Sequence, residues 1–238
     1  MQLQLHSQSD LALMELQTAA LYRCDDRGRL LSINEPDGGP GPRFFLGRTR
    51  AGNVWRFRHD LPDEIATPLA NLLAAEPVTG DLDRPPAGLA ALCDVLSAHM
   101  PVGRVWMGPA WCFPEEIERP AAPAVTVGEE REVLGDNFAW LADEHSHRRP
   151  CRGVLDEGRA VSVCFSSRNT PEAAEAGVET MDAFRGRGYA VAAVAAWATA
   201  VRAEGRIPLY STSWDNLPSR RVASKLGLRL YGADLSIF

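Results

Sequence analysis

Apolar residues spaced three and four apart predict helices packed on one face in several stretches of the chain. Residues 11–21 place Leu13, Leu16, Ala20 and Leu21 on such a face, and residues 87–99 place Leu89, Leu92, Val95 and Leu96. Between them, Asp60-Leu61-Pro62-Asp63-Glu64 opens a helix carrying Ile65, Leu69, Leu72 and Leu73, with a proline and acids where a first turn favours them. Further on, residues 129–144 carry Val133, Leu134, Phe138 and Leu141, and residues 186–203 carry Ala190, Val194, Trp197 and Val201. A short helix at 218–226 is closed by Gly227. β-rich runs bounded by turn residues predict strands at 30–33, 43–46, 103–113, 152–155, 159–165, 177–181, 207–212 and 228–237. Ala51-Gly52-Asn53 turns a hairpin within 44–57, and Asp156-Glu157-Gly158 turns another. The run from Pro36 to Pro42 is a breaker.

Strands alternating with helices make this a mixed α/β (α+β) chain, with a right-handed strand–helix–strand crossover expected around residues 177–212. The clearest break in composition is Arg119-Pro120-Ala121-Ala122-Pro123, which divides the chain into an N-terminal α+β domain, 1–123, and a second domain, 124–238. No catalytic motif stands in the first. Its role stays open between completing a substrate cleft, forming a homodimer, and being a diverged copy of the second.

Composition narrows the classes. Among 238 residues, 31 acids against 25 Lys and Arg give a net charge of −6, which argues against a general nucleic-acid binder and is compatible with a cationic substrate such as an amine without pointing to one. The first ten residues carry no basic and apolar leader pattern, and the most apolar stretch, residues 189–201, is too short to span a bilayer. A cytoplasmic protein without membrane contact is expected. Five scattered cysteines (Cys24, Cys93, Cys112, Cys151, Cys164) form no C-x-x-C pair and are expected to be reduced and mostly buried. His145 and His147, with Glu144 beside them, are two apart and do not share a helix face, so a solvated helix end rather than a metal site is expected. Trp106 and Trp111 are expected in a core or interface.

The chemistry concentrates at Phe184-Arg185-Gly186-Arg187-Gly188-Tyr189-Ala190, where a strand turns into a helix. Gly186 and Gly188 remove side chains that would keep an anion from the backbone, and the helix N-terminus offers unpaired N–H groups. Arg185 and Arg187 add positive charge. Such a turn fits a diphosphate. It lacks the Gly-Lys-Ser/Thr of nucleotide hydrolases, and Val191 breaks the longer dinucleotide fingerprint.

Arg185-x-x-Gly188-x-Ala190 resembles the Q/R-x-x-G-x-G/A signature of the GNAT acetyltransferase superfamily. The strand Val178-Glu179-Thr180 precedes it, and the 207–212 strand follows its helix. Asn216-Leu217-Pro218-Ser219 and Lys225-Leu226-Gly227-Leu228 then stand in register with the family's N-x-x-S/A and K-x-G-F. The resemblance covers about 125–238 and implies a GNAT acyl-CoA-binding fold with acetyl-CoA as donor and an amine as acceptor. On these positions it implies that the backbone of Val178, Glu179 and Thr180 pairs with the pantetheine amides. Backbone N–H groups of Arg185, Gly186, Arg187, Gly188, Tyr189 and Ala190 then hold the diphosphate. Asn216, with Ser219 nearby, bonds the pantetheine arm, although Asn216-x-x-Ser219 also reads as an ordinary helix cap.

Amine acetylation by direct attack needs a base, a donor to the carbonyl oxygen, and a proton for the thiolate. Glu175 and Glu179 are the candidate bases, because residues four apart face one side of an unbroken strand. The tyrosine that serves many family members as acid is replaced by Ala223, leaving Tyr210, Tyr231 or water. Cys164, on a strand face with Ser162 and Ser166, is expected in the core, with the substrate cleft as the other reading. Two alternatives to an N-acetyltransferase stay open: a CoA-binding sensor without turnover, and an enzyme moving another acyl group.

Overall fold

The computed structural model describes residues 8–118 and 120–238. The start of the leader reading, residues 1–7, and Arg119 of the boundary run lie outside the described residues. The chain divides into two compact units that draw residues from both sides of the composition break: one comprises Gln8–Ala110, Ser211–Asn216 and Leu230–Phe238, the other Trp111–Tyr210 and Leu217–Arg229.

In the first unit, α1 (Asp10–Leu21) starts at Ser9, whose Oγ accepts from Ala12 N at 3.2 Å. It runs straight into β1 (Tyr22–Cys24), which pairs antiparallel with β2 (Leu30–Ile33). β3 (Phe44–Thr49) and β4 (Gly52–Phe57) form the expected hairpin, from Phe44↔Phe57 to Thr49↔Gly52. The last strand, β11 (Arg229–Ile237), returns antiparallel to β3, and β5 (Val105–Cys112) lies on its far side. Strand alternation then sorts the side chains. Phe44, Leu46, Leu235 and Ile237 pack with Leu69, Leu73, Leu92 and Leu96 of α2 (Asp63–Ala75) and α3 (Leu89–His99). On the other face, Met14 of α1 lies so close that a Cβ on Gly47 would stand 2.2 Å from its Sδ. Gln17 bonds to Asp234 and Tyr231 there, and Tyr22 Oη lies 2.8 Å from Ser236 Oγ. Buried Glu76 caps α3 by accepting from Ala87 N and Gly88 N, both at 2.8 Å.

The second unit begins its sheet with the edge strand β6 (Val125–Thr126), followed by α4 (Arg131–Phe138) and α5 (Trp140–Arg148). The single helix expected over 129–144 is therefore two, and Gly135, at φ 60° and ψ −176°, breaks the first of them. β7 (Cys151–Asp156), β8 (Arg159–Asn169) and β9 (Ala173–Thr180) are antiparallel neighbours, and β10 (Ile207–Ser211) runs parallel to β9. β9 starts four residues before the expected 177. α6 (Tyr189–Ala203) crosses over from β9 to β10, and α7 (Leu217–Lys225) follows. One sheet face packs Cys151, Val163 and Phe165 against Leu134, Phe138 and Leu141 of α4 and α5. On α6, Trp197 is fully buried, donates to Ser166 Oγ at 3.1 Å and sits 6.1 Å from the Phe113 ring. Cys151 and Cys164 are buried as expected, whereas Cys24 is exposed, because a two-stranded ribbon cannot cover both of its faces.

Candidate active site

Three residue pairs join β9 to β10: Ile207↔Ala173, Pro208↔Ala174 and Leu209↔Glu175. β8 stays paired with β9 as far as Ser162↔Thr180, so 176–180 of β9 are paired on one side and open on the other. The backbone direction follows from the bonds to β8. Ser167 Oγ donates to Glu175 O at 3.0 Å, Ser162 Oγ to Glu179 O at 3.3 Å, and Met181 N to Val161 O at 3.0 Å. Residues 175, 179 and 181 therefore face β8, and Ala176, Val178 and Thr180 present their N–H and C=O groups to the opening. That is the edge a second extended chain would pair with.

Beyond Thr180 a 3-10 turn, Asp182–Phe184, leads to Gly186 at φ 80° and Gly188 at φ 84°, the residue that starts α6. A Cβ built on either glycine meets no atom within 4 Å. The left-handed backbone suits glycine, and the space in front of it is open. α6 is 15 residues long, so its dipole and the unpaired N–H groups of Tyr189 and Ala190 face that space. Arg185 N is already bonded to Asp182 O at 3.2 Å, and its guanidinium pairs with Asp182 at 2.8 Å. Arg187 lies over the Phe184 ring at 4.9 Å and donates to Ala183 O at 3.2 Å. The diphosphate donors offered are thus those after Arg185. A strand edge, an open glycine turn and a helix N-terminus in succession fit an extended amide chain ending in a diphosphate.

Asn216 sits in the exposed turn before α7, where its N–H donates to Ser213 O at 3.2 Å, and it groups with the first unit. Ser219, inside α7, has its Oγ 2.7 Å from Tyr210 Oη. Burial pushes the Tyr210 phenol up, only partly offset by that bond, with Cys164 and Glu175 raising it further. Tyr231 is fully buried and bonded to Gln17. Ala223 is buried in α7. Cys164 is fully buried, and burial holds its thiol well above the usual range.

Glu175 and Glu179 do lie on one face of the unbroken β9, but their surroundings differ. Glu175 is 1% exposed, at the point where β10 still pairs. Glu179 is exposed, on the open part of the strand, opposite Val163. Partial burial nonetheless pushes its carboxyl above the ordinary range, and Arg148 pulls it back down. Sequence reasoning placed no role on Arg148, the end of α5, or on Trp140 and Phe165 beside it. The one signal was an arginine four residues after Glu144, which reads as any helical ion pair. Among the described residues no three His, Cys, Asp or Glu cluster to hold a metal, and no helix is long and apolar enough to cross a membrane.

The fold is similar to that of GNAT acetyltransferases. Residues 151–233 match the family model described as GNAT acetyltransferase, which supports a GNAT superfamily assignment in the C-terminal half. An acetyltransferase from the GNAT family of Colwellia psychrerythraea is similar over 98% of both chains, with 14% identity and a TM-score of 0.50. That likeness speaks to the fold alone. A GCN5-related N-acetyltransferase-like protein from Streptococcus suis is 18% identical over 84% of this chain and 85% of its own, with a TM-score of 0.47. A GNAT-family protein from Novosphingobium aromaticivorans is 21% identical over 57% of this chain, with a TM-score of 0.45, and the match spans 65% of that protein. No curated protein matches the chain. Family and fold together support an acyl-transfer function.

Proposed function

We propose that the protein is an N-acetyltransferase that moves an acetyl group from acetyl-CoA to the amine of a small molecule or peptide. The observation that carries the reading is the parting of β9 from β10 after Leu209↔Glu175, just ahead of the open glycine turn. Val178 and Thr180 pair with the pantetheine amides, with Glu179 between them completing the strand. The turn from Gly186 through Arg187, Gly188 and Tyr189 to Ala190 holds the diphosphate, and Arg185 contributes charge. Asn216 is assigned to the pantetheine arm by the family pattern, and Ser219 stays beside it.

Coenzyme A supplies the acyl group as a thioester. Glu179 takes the proton from the attacking amine, directly or through a water, and partial burial makes it a stronger base than an ordinary glutamate. A backbone N–H of the opened strand donates to the acyl oxygen. No tyrosine is assigned as acid, since Tyr210 and Tyr231 are buried and bonded and position 223 is alanine. A thiol with an ordinary pKa of about 8.5 leaves without one. Glu175 is the second candidate base. Domains at 1–123 and 124–238, a cytoplasmic setting, a homodimer, independence of metal, and the absence of nucleic-acid and membrane partners are further parts of the proposal, resting on composition and sequence pattern.

Thiol release from acetyl-CoA across a panel of primary amines tests the reading, with Glu179→Gln and Glu175→Gln assayed separately. Amine-dependent release that falls at least about tenfold in E179Q, with CoA affinity kept, is the expected result. Tight CoA binding with no amine-dependent release would favour a sensor, the reading that Ala223 suggests. Faster release from longer acyl donors would redirect the donor assignment.

A further inference from the structure

Arg148 is held more elaborately than an ion pair on a helix requires. It is 8% exposed, and its Nε and Nη2 both reach Glu144 Oε2, at 2.8 and 2.6 Å. Its Nη1 donates to Ser167 O at 2.6 Å, and its guanidinium carbon lies 5.7 Å from the Trp140 ring centre and 5.6 Å from that of Phe165. Those two rings meet edge to face at 5.0 Å. Burying a guanidinium this far demands several acceptors, and here they come from two elements.

Both attachments lead to β9. Phe165 is the cross-strand partner of Gly177, and its ring lies so closely over β9 that a Cβ on Gly177 would stand 2.5 Å from Phe165 Cε2. Glu179 is the next residue of β9 on that face. Ser167 sits in the bulge where β8 slips register between Ser166 and Arg168, and its Oγ holds Glu175 O. The arginine thus fixes the aromatic floor beside Glu179 and the bulge at the foot of the opening.

We propose that Arg148 is a positioning residue for Glu179, fixing through the Phe165 ring and the Ser167 bulge the stretch of β9 that carries it. The proposal rests on Glu179 being the base of the acyl transfer. The other groups on that face are Val163 from β8, Glu175 along β9, Asn137 from α4, which is bonded to Met181 Sδ, Glu144 from α5, and Cys151 from β7. Burial pushes the Cys151 thiol up to about 12, so it is neutral at working pH. Arg148 is the charge whose effect on Glu179 is resolved, and its direction is downward.

The test follows the Glu179 carboxyl by 13C NMR in protein labelled at glutamate, assigned with E179Q, across wild type, R148M, R148K and E144Q. In R148M the titration midpoint should rise by about half a pH unit or more, and R148K should stay near wild type. In E144Q, which leaves the arginine's charge uncompensated, it should fall. An unchanged midpoint in folded R148M overturns the proposal, and if R148M does not fold, an unchanged midpoint in E144Q does so. The acid limb of kcat/KM separates this from the function itself. If E179Q retains activity while the midpoints shift as stated, the coupling stands and the base assignment falls. If limb and midpoint move together, both hold, with kcat/KM below the limb about threefold lower in R148M.

Discussion

A single backbone angle makes the anion site testable. Gly188 adopts φ 84° with open space before it, so a side chain there is opposed by the left-handed backbone and, if acidic, by the phosphates. Gly188→Glu is expected to abolish acetyl-CoA binding in calorimetry. Gly188→Asn, which tolerates the left-handed region and is neutral but puts a side chain into the same space, should weaken binding less than G188E. Retained affinity in G188E would place the diphosphate elsewhere. The Glu179 carboxyl supplies a second test at the same scale. Its pKa is raised, so the base is protonated, and inactive, over a wider acidic range than an ordinary glutamate. The acid limb of kcat/KM should therefore lie above the usual glutamate value of about 4.3 and disappear in E179Q.

Elements show what the sequence could and could not convey. α6 was legible because Val194, Trp197 and Val201 recur on one face, and all three are buried. The hairpins were legible through their turn residues. The glycine turn was legible because its chemistry is local, carried by consecutive residues. β1 escaped notice because Tyr22-Arg23-Cys24 is three residues long and continues directly from α1. The break at Gly135 hid inside an apolar repeat that continues in phase across it. The Arg148 cluster was illegible for another reason: Trp140, Arg148 and Phe165 meet only after β7 and β8 have paired, and no spacing announces that. Packing around α6 gives this scale its prediction. Trp197 is fully buried, touches the Phe113 ring at 6.1 Å and donates to Ser166. Phe113→Ala should cost about 3–5 kcal/mol in denaturant unfolding, through the cavity left beside Trp197 and Tyr210. A loss below about 1 kcal/mol would mean that the ring is not part of the core of this unit.

For the whole molecule, the question is which length of chain folds by itself. The composition break at 119–123 suggests that 124–238 is sufficient, yet the compact unit around α6 includes residues from Trp111 on. Cutting at 123/124 removes Phe113, the Trp111 ring 6.0 Å from Tyr210, and the carbonyls of Phe113, Pro114 and Glu115 that accept from Arg202. Burial already opposes the charge of Arg202, and without those acceptors its guanidinium would be left uncompensated. The same cut strips both β3 and β5 from β11, leaving without neighbours a strand that carries Leu235 and Ile237. A fragment of residues 124–238 should therefore aggregate or melt without cooperativity in size-exclusion chromatography and thermal denaturation, while the intact chain melts cooperatively. A soluble fragment with a sharp transition and the CoA affinity of the intact chain would show that the GNAT half needs nothing from the first 123 residues, and would leave those residues to act on the substrate alone.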